Sequence, residues 1–447
     1  MHKRVVVLID DKKRDLLAGA LLSRHLRDRG IECFLEPLEA YRGCLAAHRP
    51  HMIVFNHINS SHLVKYSQEL TAMGVLTAVI INEGLCYEDE EREYNAGKFH
   101  SGAHIDYYFC WNEPFKLALG KNHLDSNTHI EDVGPPRQDF YFPPWSDLLV
   151  PRKNAISVPP QVLLCTNFGL ARYRNAPAIQ LEKLFAPWMD KVKSCSDPEA
   201  IVEAQHKGQQ KALHFAAAIA HNQGYELILR PHPREDADVY FNWKESLSLD
   251  ISRNIKIDEQ TNISSLILQC DLHIGCENCN TTMEAWLAKK PTITLLLDKH
   301  PALYDHEVAG LSPCCDEPED IIDMVQKELS EPAQNAFKDK RNAHLEKWCG
   351  VNQGRINQRI ADIISIRLQA QPEPNWRLIS WPNRRRGFKL KMLRALGKPY
   401  NYNPFAKLKY ALQRRKFKLK AYVQEKAVSP RDVKKADALI ASCFERK

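Results

Sequence analysis

The sequence lacks several features that would assign it to a common functional class. No window of the 447 residues approaches the roughly 20 apolar residues of a membrane-spanning helix. No glycine-rich Walker loop is present, which argues against a P-loop nucleotide hydrolase. The opening run, residues 1–10, is charged and then briefly apolar, and it continues into charged residues rather than a small-residue cleavage site. We therefore interpret it as the first strand of a domain, not as a signal peptide.

The composition is that of a globular protein with enough apolar material for more than one core. Its length favours two or more domains, and 44% hydrophobic residues is an ordinary share. The 13 cysteines are odd in number and lie mostly within apolar runs, so we expect reduced thiols in a cytosolic protein. Cys276 and Cys279 have the spacing of a zinc-ligand pair. The later pair, Cys314 and Cys315, is adjacent rather than spaced, so free thiols are favoured over zinc.

The charge is distributed unevenly along the chain. Residues 371–447 contain 21 Lys and Arg against 5 Asp and Glu, whereas the remaining 370 residues carry 41 basic and 50 acidic side chains. Basic residues are interleaved with aromatic ones in this tail, a mixture that suits an anionic membrane surface or a nucleic acid. The acidic body argues against a large nucleic-acid footprint. We therefore expect a separate tail at the inner face of an anionic membrane, with packing onto the body as the alternative.

The body shows two successive blocks in which strand-like and helix-like runs alternate, a pattern typical of parallel sheets covered by helices on both faces. The predicted strands are Val5–Ile9, Cys33–Leu35, Met52–Phe55, Leu76–Ile81, Tyr107–Cys110, Ile130–Val133, Val162–Thr166, Glu226–Leu229, Ile255–Ile257, Leu272–Ile274 and Thr292–Leu296. The predicted helices are Leu16–Arg29, Ser61–Met73, Pro114–Leu119, Gln209–His221, Ile263–Gln269, Thr281–Ala288, Pro318–Leu329 and Arg355–Leu368.

These blocks predict an α/β protein with two Rossmann-like domains facing each other and a basic C-terminal helical tail. The predicted domains are residues 1–150, 151–370 and 371–447. The stretch Phe140–Asn154 is rich in proline and aromatic residues, and we interpret it as the linker between the first two. A ligand site between the two domains is the default expectation, because ligands bind at domain interfaces and at the carboxyl ends of parallel strands.

The segment from Arg230 to Pro233 is the most informative motif. It closes a buried-strand pattern with two residues that each precede a proline, and such residues are held extended. A guanidinium and an imidazole at the carboxyl end of a strand suit an anion, above all a phosphate. A polar turn without a ligand is the alternative, since such turns are common.

Two further segments follow predicted strands. Asn82-Glu83-Gly84 ends the fourth strand run, and Gly84 allows a sharp turn there. Thr281 and Thr282 open a predicted helix, whose amide groups and hydroxyls suit phosphate. A plain capped helix is the alternative.

These three segments resemble the motifs of bacterial glycosyltransferases that use CMP-activated sugars, the sialyl-, polysialyl- and Kdo-transferases. Those enzymes carry an acidic pair followed by glycine, a His-Pro and a Ser/Thr pair, in that order. Here the first acidic position is Asn82, so only Glu83 can act as a carboxylate. The chain also resembles bacterial surface carbohydrate biosynthesis proteins over roughly residues 1–370. The matching pieces are residues 82–85, 133–139, 164–169, 230–233 and 281–291.

The resemblance implies a GT-B glycosyltransferase that moves an acidic sugar, Kdo above all, from a CMP-sugar to a surface-polysaccharide or lipid-linked acceptor. No Asp-X-Asp metal motif stands at an obvious strand end, and no metal or other cofactor is expected. The residues that we expect to bind the donor are Arg230, His232, Thr281, Thr282, Asn167 and Glu284. The candidate catalytic carboxylates are Glu83, Asp197 and Asp236.

Several of these roles have structural alternatives. Glu83 is the candidate general base, and a retaining reaction would need a carboxylate nucleophile from among Glu83, Asp197, Glu235 and Asp236. Asp197 could instead cap the helix that begins at Pro198, and the other two could lie in a solvated loop. Asn167 could equally be a turn residue.

Two other functions fit the same motifs. One is a phospho-polyol transferase of the CDP-glycerol type. The other is a non-catalytic nucleotide- or RNA-binding protein. Asn82, which stands where the motif has an acid, favours this alternative.

Overall fold

The structure, a computed structural model, describes residues 2–81, 85–97, 102–121, 127–150, 159–276, 279–304, 306–332, 334–350, 353–402 and 427–444. Within these residues the strands are β1 Arg4–Ile9, β2 Glu32–Pro37, β3 Met52–Phe55, β4 Leu76–Ile80, β5 Tyr107–Cys110, β6 His129–Asp132, β7 Gln161–Cys165, β8 Glu226–Arg230, β9 Ile255–Ile257, β10 Leu272–Cys276, β11 Thr292–Leu295 and β12 Cys314–Cys315.

The helices over the same residues are α1 Leu16–Asp28, α2 Tyr41–His48, α3 Ser61–Met73, α4 Asp89–Gly97, α5 Glu113–Lys121, α6 Ser146–Leu149, α7 Ala178–Met189, α8 Pro198–His221, α9 Ala237–Ser246, α10 Leu249–Ser252, α11 Ile263–Gln269, α12 Asn280–Leu287, α13 His306–Ala309, α14 Ile321–Ser330, α15 Gln334–Cys349, α16 Ile356–Gln369, α17 Trp381–Ala395 and α18 Pro430–Phe444.

The chain forms two compact units. Unit 1 comprises Met1–Cys86, Asn95–Asp139 and Lys347–Lys447, and unit 2 comprises Tyr87–Tyr94 and Phe140–Glu346. The main boundary therefore lies at residue 139 rather than after the predicted residue 150, and the chain returns to unit 1 at residue 347. Each unit contains one six-stranded parallel sheet, which confirms the prediction of two Rossmann-like domains.

The sheet of unit 1 has the strand order β2-β1-β3-β4-β5-β6, and all its pairs are parallel. The order reverses between β1 and β3, so the carboxyl ends of these two strands flank a topological switch point. Both strands are apolar and buried along almost their whole length, as expected for a sheet covered on both faces.

The sheet of unit 2 has the strand order β12-β11-β10-β7-β8-β9, again with parallel pairs. Counted along unit 2, this is the order 6-5-4-1-2-3 typical of a dinucleotide-binding fold, with its switch point between β7 and β10. Val162 and Leu164 pack into the core on one face, and Leu163 and Cys165 pack on the other. This alternation follows from the two-residue repeat of a strand.

The prediction of a linker over residues 140–154 is wrong for its described part. Phe140, Tyr141 and Trp145 are buried in unit 2, with exposed fractions of 3%, 4% and 7%. The aromatic residues that looked like those of a linker therefore contribute to the core. The rest of the predicted linker, residues 151–154, lies outside the described residues.

The predicted last helix of the second domain belongs to unit 1 instead. Helix α16 begins where the carboxylate of Asp139 accepts the backbone N–H groups of Ile356 and Asn357, both at 2.9 Å. The side-chain amide of Asn357 donates to the same carboxylate at 2.8 Å. This buried cap joins parts of unit 1 that lie more than 200 residues apart in sequence.

The described part of the basic tail packs onto unit 1, so the expectation of a separate tail is wrong there. Helix α17 lies against α2, because Gly387 allows its backbone to approach Ala46 closely. Helix α18 lies against α1, and Asp437 pairs with Arg27 at 3.1 Å. Residues 403–426 of the tail lie outside the described residues. Among the helices that the structure describes, none has the length and apolarity needed to cross a membrane.

Candidate functional site

The predicted donor-binding segments meet at one edge of the sheet in unit 2. Asn167 follows β7, His232 follows β8, and Thr281 lies in the first turn of α12, which follows β10. Because β10, β7 and β8 are neighbours, the ends of the two outer strands are roughly 10 Å apart, two strand spacings. The site therefore spans the switch point between β7 and β10, where such sheets bind nucleotides.

His232 is half-buried, and a backbone hydrogen bond selects the tautomer of its neutral ring. The Nδ1 atom accepts the backbone N–H of Arg234 at 3.1 Å. In the neutral imidazole the proton therefore lies on Nε2, which makes that atom a hydrogen-bond donor. The extended backbone required before Pro233 presents the ring just beyond the end of β8. In this tautomer the ring has its donor on Nε2.

Glu235 holds this turn in place. Its Oε1 atom accepts the backbone N–H of His232 at 2.8 Å and the hydroxyl of Thr166 at 2.7 Å. Its other oxygen, Oε2, accepts the hydroxyl of Tyr240, and the backbone N–H of Phe168 also donates to the carboxylate. The carboxylate therefore connects the segments after β7 and β8.

The sequence allowed Glu235 to be either a solvated loop residue or a catalytic nucleophile, and the structure supports neither role. A carboxylate surrounded by four donors is neither a solvated loop residue nor a nucleophile with free lone pairs. Burial raises the pKa of Glu235, and the four hydrogen bonds oppose that effect. Tyr240 and Thr166, which complete this group, were not predicted as site residues. A tyrosine in a helix carries no sequence signal that distinguishes a buried hydroxyl from ordinary packing.

Arg230 is turned toward the neighbouring strand β9. Its guanidinium donates to the backbone carbonyl of Asp258 at 2.7 Å and lies 3.9 Å from the carboxylate of that residue. Only 8% of Arg230 is exposed, and burial lowers the pKa of its guanidinium. Its carbonyl accepts the backbone N–H of Thr166 at 3.1 Å. These contacts favour a positioning role over the phosphate contact expected from the sequence.

The two threonines of α12 have different environments. The Oγ1 atom of Thr281 lies 3.2 Å from Nε2 of His273 and 3.0 Å from the sulfur of Cys279. Complete burial lowers the pKa of His273 to about 3, so this ring is neutral and can donate through Nε2. A hydroxyl that accepts from His273 keeps its own proton available for a ligand.

Thr282 is fully buried, and its Oγ1 atom has no hydrogen-bond partner among the described residues. It lies beneath β10, where a Cβ added to Gly275 would come within 2.1 Å of that oxygen. Gly275 is therefore needed to make room for Thr282. This placement favours a packing role for Thr282, in contrast to the phosphate contact that the sequence predicted.

Asn167 is half-buried at the end of β7, and its backbone carbonyl accepts the side-chain amide of Gln205 at 2.9 Å. Two residues later, Gly169 lies so close to Arg234 that an added Cβ would be 3.0 Å from that side chain. The segments after β7 and β8 are therefore in contact. Asn167 is held at the site, as a residue that binds the donor would need to be.

Three of the predicted carboxylates have structural contacts. Glu284 is 3% exposed and accepts the hydroxyl of Tyr141 at 2.6 Å inside unit 2. Asp197 accepts the backbone N–H of Ala200 at 3.0 Å, the capping role that the sequence offered as the alternative. Asp236 caps α9 and accepts the N–H of Asp238 at 3.3 Å.

The remaining predicted carboxylate is Glu83. Asn82, Glu83 and Gly84 all lie outside the described residues. The chain that the structure describes resumes at Leu85.

Nothing in the described chain forms a metal centre: no group of three or more His, Cys, Asp or Glu side chains could hold an ion there. Burial raises the pKa of the Cys279 thiol. No disulfide joins any of the cysteines, all of which are among the described residues. Residues 277 and 278, between Cys276 and Cys279, lie outside the described residues.

Comparison with solved structures identifies the fold. A putative UDP-N-acetylglucosamine 2-epimerase from Listeria monocytogenes is similar to this chain with a TM-score of 0.51 and 12% identity, over 84% of this chain and 99% of its own. Its two parallel-sheet domains correspond to the two units described above. The chain has a GT-B fold. At this identity, the likeness concerns the fold alone.

Two further structures have lower TM-scores. A UDP-N-acetylglucosamine 2-epimerase has a TM-score of 0.49 and 11% identity, over 84% of this chain and 99% of its own. The wall teichoic acid polymerase TagF has a TM-score of 0.45 and 14% identity, over 83% of this chain and 90% of its own. No family profile matches the GT-B chain, and no curated protein matches it either.

Proposed function

We propose that the protein is a glycosyltransferase that moves an acidic sugar, Kdo above all, from a CMP-sugar donor to a surface-polysaccharide or lipid-linked glycan acceptor. The observation that carries the proposal is that His232 and Thr281 follow the strands β8 and β10 at the same edge of the sheet in unit 2. The motif resemblance supports the choice of CMP, because the His-Pro and Thr-Thr segments are those of CMP-sugar enzymes.

The donor phosphate would be bound by the side chains and backbone at this edge of the sheet. The Nε2–H of His232 and the hydroxyl of Thr281 each supply one hydrogen bond, and the backbone N–H groups at the start of α12 supply others. A CMP-sugar has one phosphate, so this small set of donors suits its charge. Asn167, at the end of β7, would contact the nucleoside or the sugar.

The same groups would assist departure of CMP. The bond between the anomeric carbon and the phosphate oxygen breaks, and its electron pair stays on CMP. Hydrogen bonds from His232 and Thr281 stabilise the charge that develops on that phosphate. The acceptor oxygen bonds to the anomeric carbon, and its proton passes to a general base, for which Glu83 is our candidate from the sequence. No metal is required by this scheme.

Asp197 and Asp236 are weaker candidates for a catalytic carboxylate. Each uses its side chain to cap a helix, and removal of such a cap costs about 1 kcal/mol of stability. Arg230, Thr282 and Glu284 are assigned to positioning and packing rather than to direct contact with the phosphate, because of their buried partners and surroundings.

A panel of nucleotides and donors tests the proposal. In thermal-shift measurements CMP should raise the melting temperature more than CDP, UDP or GDP, because a ligand that binds only the folded form stabilises it. Incubation with CMP-Kdo should release CMP, and Glu83→Gln should abolish that release while CMP still binds.

Other results would select other functions. Consumption of CDP-glycerol alone would support the phospho-polyol transferase, and consumption of UDP-N-acetylglucosamine alone would support an epimerase-like activity. Binding of CMP without turnover of any donor would support a non-catalytic binding protein. Each of these results would overturn the proposed transferase.

We also propose that the protein works as a peripheral protein at the cytoplasmic, anionic face of the inner membrane. The support is an exposed apolar stripe along α17 and the residue that follows it, formed by Trp381, Phe388, Met392 and Leu396, which are 76%, 72%, 47% and 63% exposed. The spacing of these residues places them along one side of a helix. The exposed cations beside the stripe are Arg384, Arg385, Lys389 and Lys391.

Physical complementarity connects this face with anionic lipid. Apolar side chains enter the interface between headgroups and acyl chains, and each nearby Lys or Arg contributes about 1 kcal/mol at an anionic surface. The opposite side of α17 packs against the rest of unit 1. Leu390 and Leu393 are buried there, and Arg394 pairs with Glu36. Nucleic acid is a weaker candidate partner, because binding to its phosphates would not require the exposed apolar side chains of the stripe.

Vesicle sedimentation tests this part of the proposal. The protein should bind vesicles that contain phosphatidylglycerol and not vesicles of phosphatidylcholine alone, and the double change Trp381→Glu and Phe388→Glu should abolish binding. Leu249→Glu in unit 2 is the matched control, since Leu249 is 85% exposed and lies outside the tail. Equal binding by the double variant, or binding to RNA in preference to vesicles, would contradict the proposal.

A further inference from the structure

A second His-Pro turn lies in unit 2, over residues 298–303. His300 and Pro301 follow β11, just as His232 and Pro233 follow β8. Both strands belong to the same parallel sheet, so both turns lie at its carboxyl edge. In the strand order β11-β10-β7-β8 the two turns follow the outer strands, on either side of the switch point between β10 and β7.

The backbones of the two turns are fixed by the same contacts. The backbone N–H of His300 donates to the carboxylate of Asp298 at 3.0 Å. In the turn after β8, the backbone N–H of His232 donates to the carboxylate of Glu235 at 2.8 Å. The carbonyl of each histidine accepts the backbone N–H of the residue three positions later, at 2.8 Å from Leu303 and at 2.9 Å from Glu235.

The ring of His300 has the same tautomer as the ring of His232. Its Nδ1 atom accepts the backbone N–H of Ala302, two residues later, at 3.2 Å, and the matching distance from His232 to Arg234 is 3.1 Å. In the neutral ring the proton of His300 therefore lies on Nε2. This ring is half-buried, and no residue in the described part of the chain is hydrogen-bonded to its Nε2 atom.

Apolar packing holds the second turn against the rest of unit 2. Ala302 and Leu303 are partly buried against a small apolar cluster. Leu170 and Tyr173, which follow β7, pack against the same cluster. Its buried core is formed by Leu181, Phe185, Ile201 and Val202. Because β11 and β7 lie on either side of β10, the turn is anchored beside the strand that leads to Thr281.

The charged side chains within each turn balance one another. Lys299 is exposed and offsets the carboxylate of Asp298. The exposed Arg234 does the same for Glu235. The carboxylate of each turn therefore does not exclude an anion. A hydrogen bond to an anion is roughly twice as strong as one to a neutral acceptor, so an anionic group is the acceptor that suits the Nε2 donor of His300 best.

The distance between the turns favours two anionic groups over one. Three strand spacings, about 14 Å, separate the ends of β11 and β8. A single phosphate is smaller than this span, whereas a nucleotide that carries a second anionic group can occupy more of it. Each imidazole has one N–H donor, so each turn would bind a group of its own.

We infer that His300 donates a hydrogen bond from Nε2 to a second anionic group of the nucleotide ligand, in addition to the phosphate assigned to His232. A nucleoside diphosphate carries such a group as its second phosphate, and a CMP-activated acidic sugar carries it as its carboxylate. The choice of the carboxylate rests on the proposed function, whereas the second anion subsite itself does not. His300 thus favours ligands with two anionic groups over CMP.

Two variants separate a ligand contact from a structural role. His300→Asn keeps an acceptor for the turn, because an asparagine side chain accepts the backbone N–H two residues later, but it loses the Nε2 donor. His300→Gln keeps a side-chain N–H donor at about the reach of Nε2 and loses the acceptor that fixes the turn. His214→Gln, at an exposed histidine of α8, is the matched control.

Calorimetry on the full chain, with CMP, CDP and CMP-Kdo and without acceptor, tests the inference. The wild type should bind CDP or CMP-Kdo more tightly than CMP. His300→Asn should lower the affinity for that tighter ligand about ten-fold, the equivalent of one hydrogen bond to a charged group, and should leave CMP binding unchanged. His300→Gln should weaken the tighter ligand less than His300→Asn does, and His214→Gln should bind all three like the wild type.

Three results would overturn the inference. An equal loss of CMP and of the tighter ligand in His300→Asn would make His300 a contact of the first phosphate. Wild-type binding in His300→Asn, with loss in His300→Gln, would leave His300 as a turn residue only. Equal affinity of the wild type for the three ligands would remove the second subsite. Should His300→Asn fail to fold, His300→Phe replaces it, since it also lacks a donor and should show the same loss.

The identity of the tighter ligand tests the proposed function separately. A preference for CDP that depends on His300 would support the second subsite and contradict the CMP-sugar transferase. Tight binding of CMP-Kdo that does not depend on His300 would leave the transferase in place and overturn this inference. Binding of none of the three ligands would contradict both.

Discussion

The carboxylate of Glu235 accepts the backbone N–H of His232 at 2.8 Å, and the backbone N–H of Glu235 donates to the carbonyl of His232 at 2.9 Å. This reciprocal pair closes the turn that follows β8 and fixes where the imidazole lies. The same carboxylate also accepts the hydroxyl of Thr166, which follows β7. The geometry of the proposed phosphate site therefore depends on Glu235, whose carboxylate is bonded to donors of the protein itself.

Glu235→Gln should destabilise unit 2 and weaken nucleotide binding together. The amide has one acceptor oxygen, and its NH2 group would face hydroxyl and N–H donors that now point at a carboxylate. We expect the free energy of unfolding to fall by about 2 kcal/mol, measured by urea denaturation. Glu245→Gln is the control, because Glu245 is exposed on α9. An unchanged stability would show that the carboxylate does not hold the turn.

Thr281 and Thr282 provide a matched pair for the ligand contact. Thr281→Val removes a hydroxyl that can donate to phosphate, and the dissociation constant of CMP should rise about five-fold in calorimetry. Thr282→Val removes a buried hydroxyl without a partner among the described residues, so CMP binding and the melting temperature should not fall. The reverse pattern would assign the phosphate contact to Thr282.

His273 should make stability depend on pH. Burial lowers its pKa in the folded protein from 6.5 to about 3, so the unfolded chain binds a proton in this range that the folded chain does not. The free energy of unfolding should therefore decrease as the pH falls below 6.5, by up to about 1.4 kcal/mol per pH unit from this residue.

The difference between wild type and His273→Gln isolates this contribution. The variant should lose that part of the slope in urea denaturation at a series of pH values, whereas His214→Gln, at an exposed histidine, should keep it. Identical slopes for all three proteins would mean that His273 is protonated in the folded state.

The contact between α17 and α2 should depend on Gly387. A Cβ at this position would lie 2.7 Å from that of Ala46 and 3.0 Å from the backbone nitrogen of Ala47. Gly387→Leu should therefore release α17, and cleavage by trypsin at its arginines should become about ten-fold faster. Gly120→Leu is the control, because nothing lies within 4 Å of a Cβ added there. Unchanged cleavage would mean that the glycine is not needed for close packing.

The sequence predicted the described strands of both sheets except β12, and it predicted the order of the site segments, because buried parallel strands form short apolar runs that end in polar turns. It predicted His232 and Thr281 at the carboxyl edge for the same reason. Strand β12 was missed, since two residues leave no periodic pattern. Helix α2, eight residues long, was missed as well.

The remaining differences arise from contacts between residues far apart in the chain. The orientation of Arg230 is decided by Asp258, and the side of α12 that faces the sheet is decided by the space that Gly275 leaves. The return of the chain to unit 1 depends on Asp139, which caps a helix that begins at Ile356. Periodicity describes one element at a time and contains no information about such partners.

Calorimetry with CMP on the wild-type protein and on His232→Ala tests the central claim most directly. The account predicts that the wild type binds CMP and that the variant binds at least about ten-fold more weakly, the equivalent of one hydrogen bond to a charged group. Equal affinity of the two proteins for CMP would contradict the assignment of His232 to the donor phosphate.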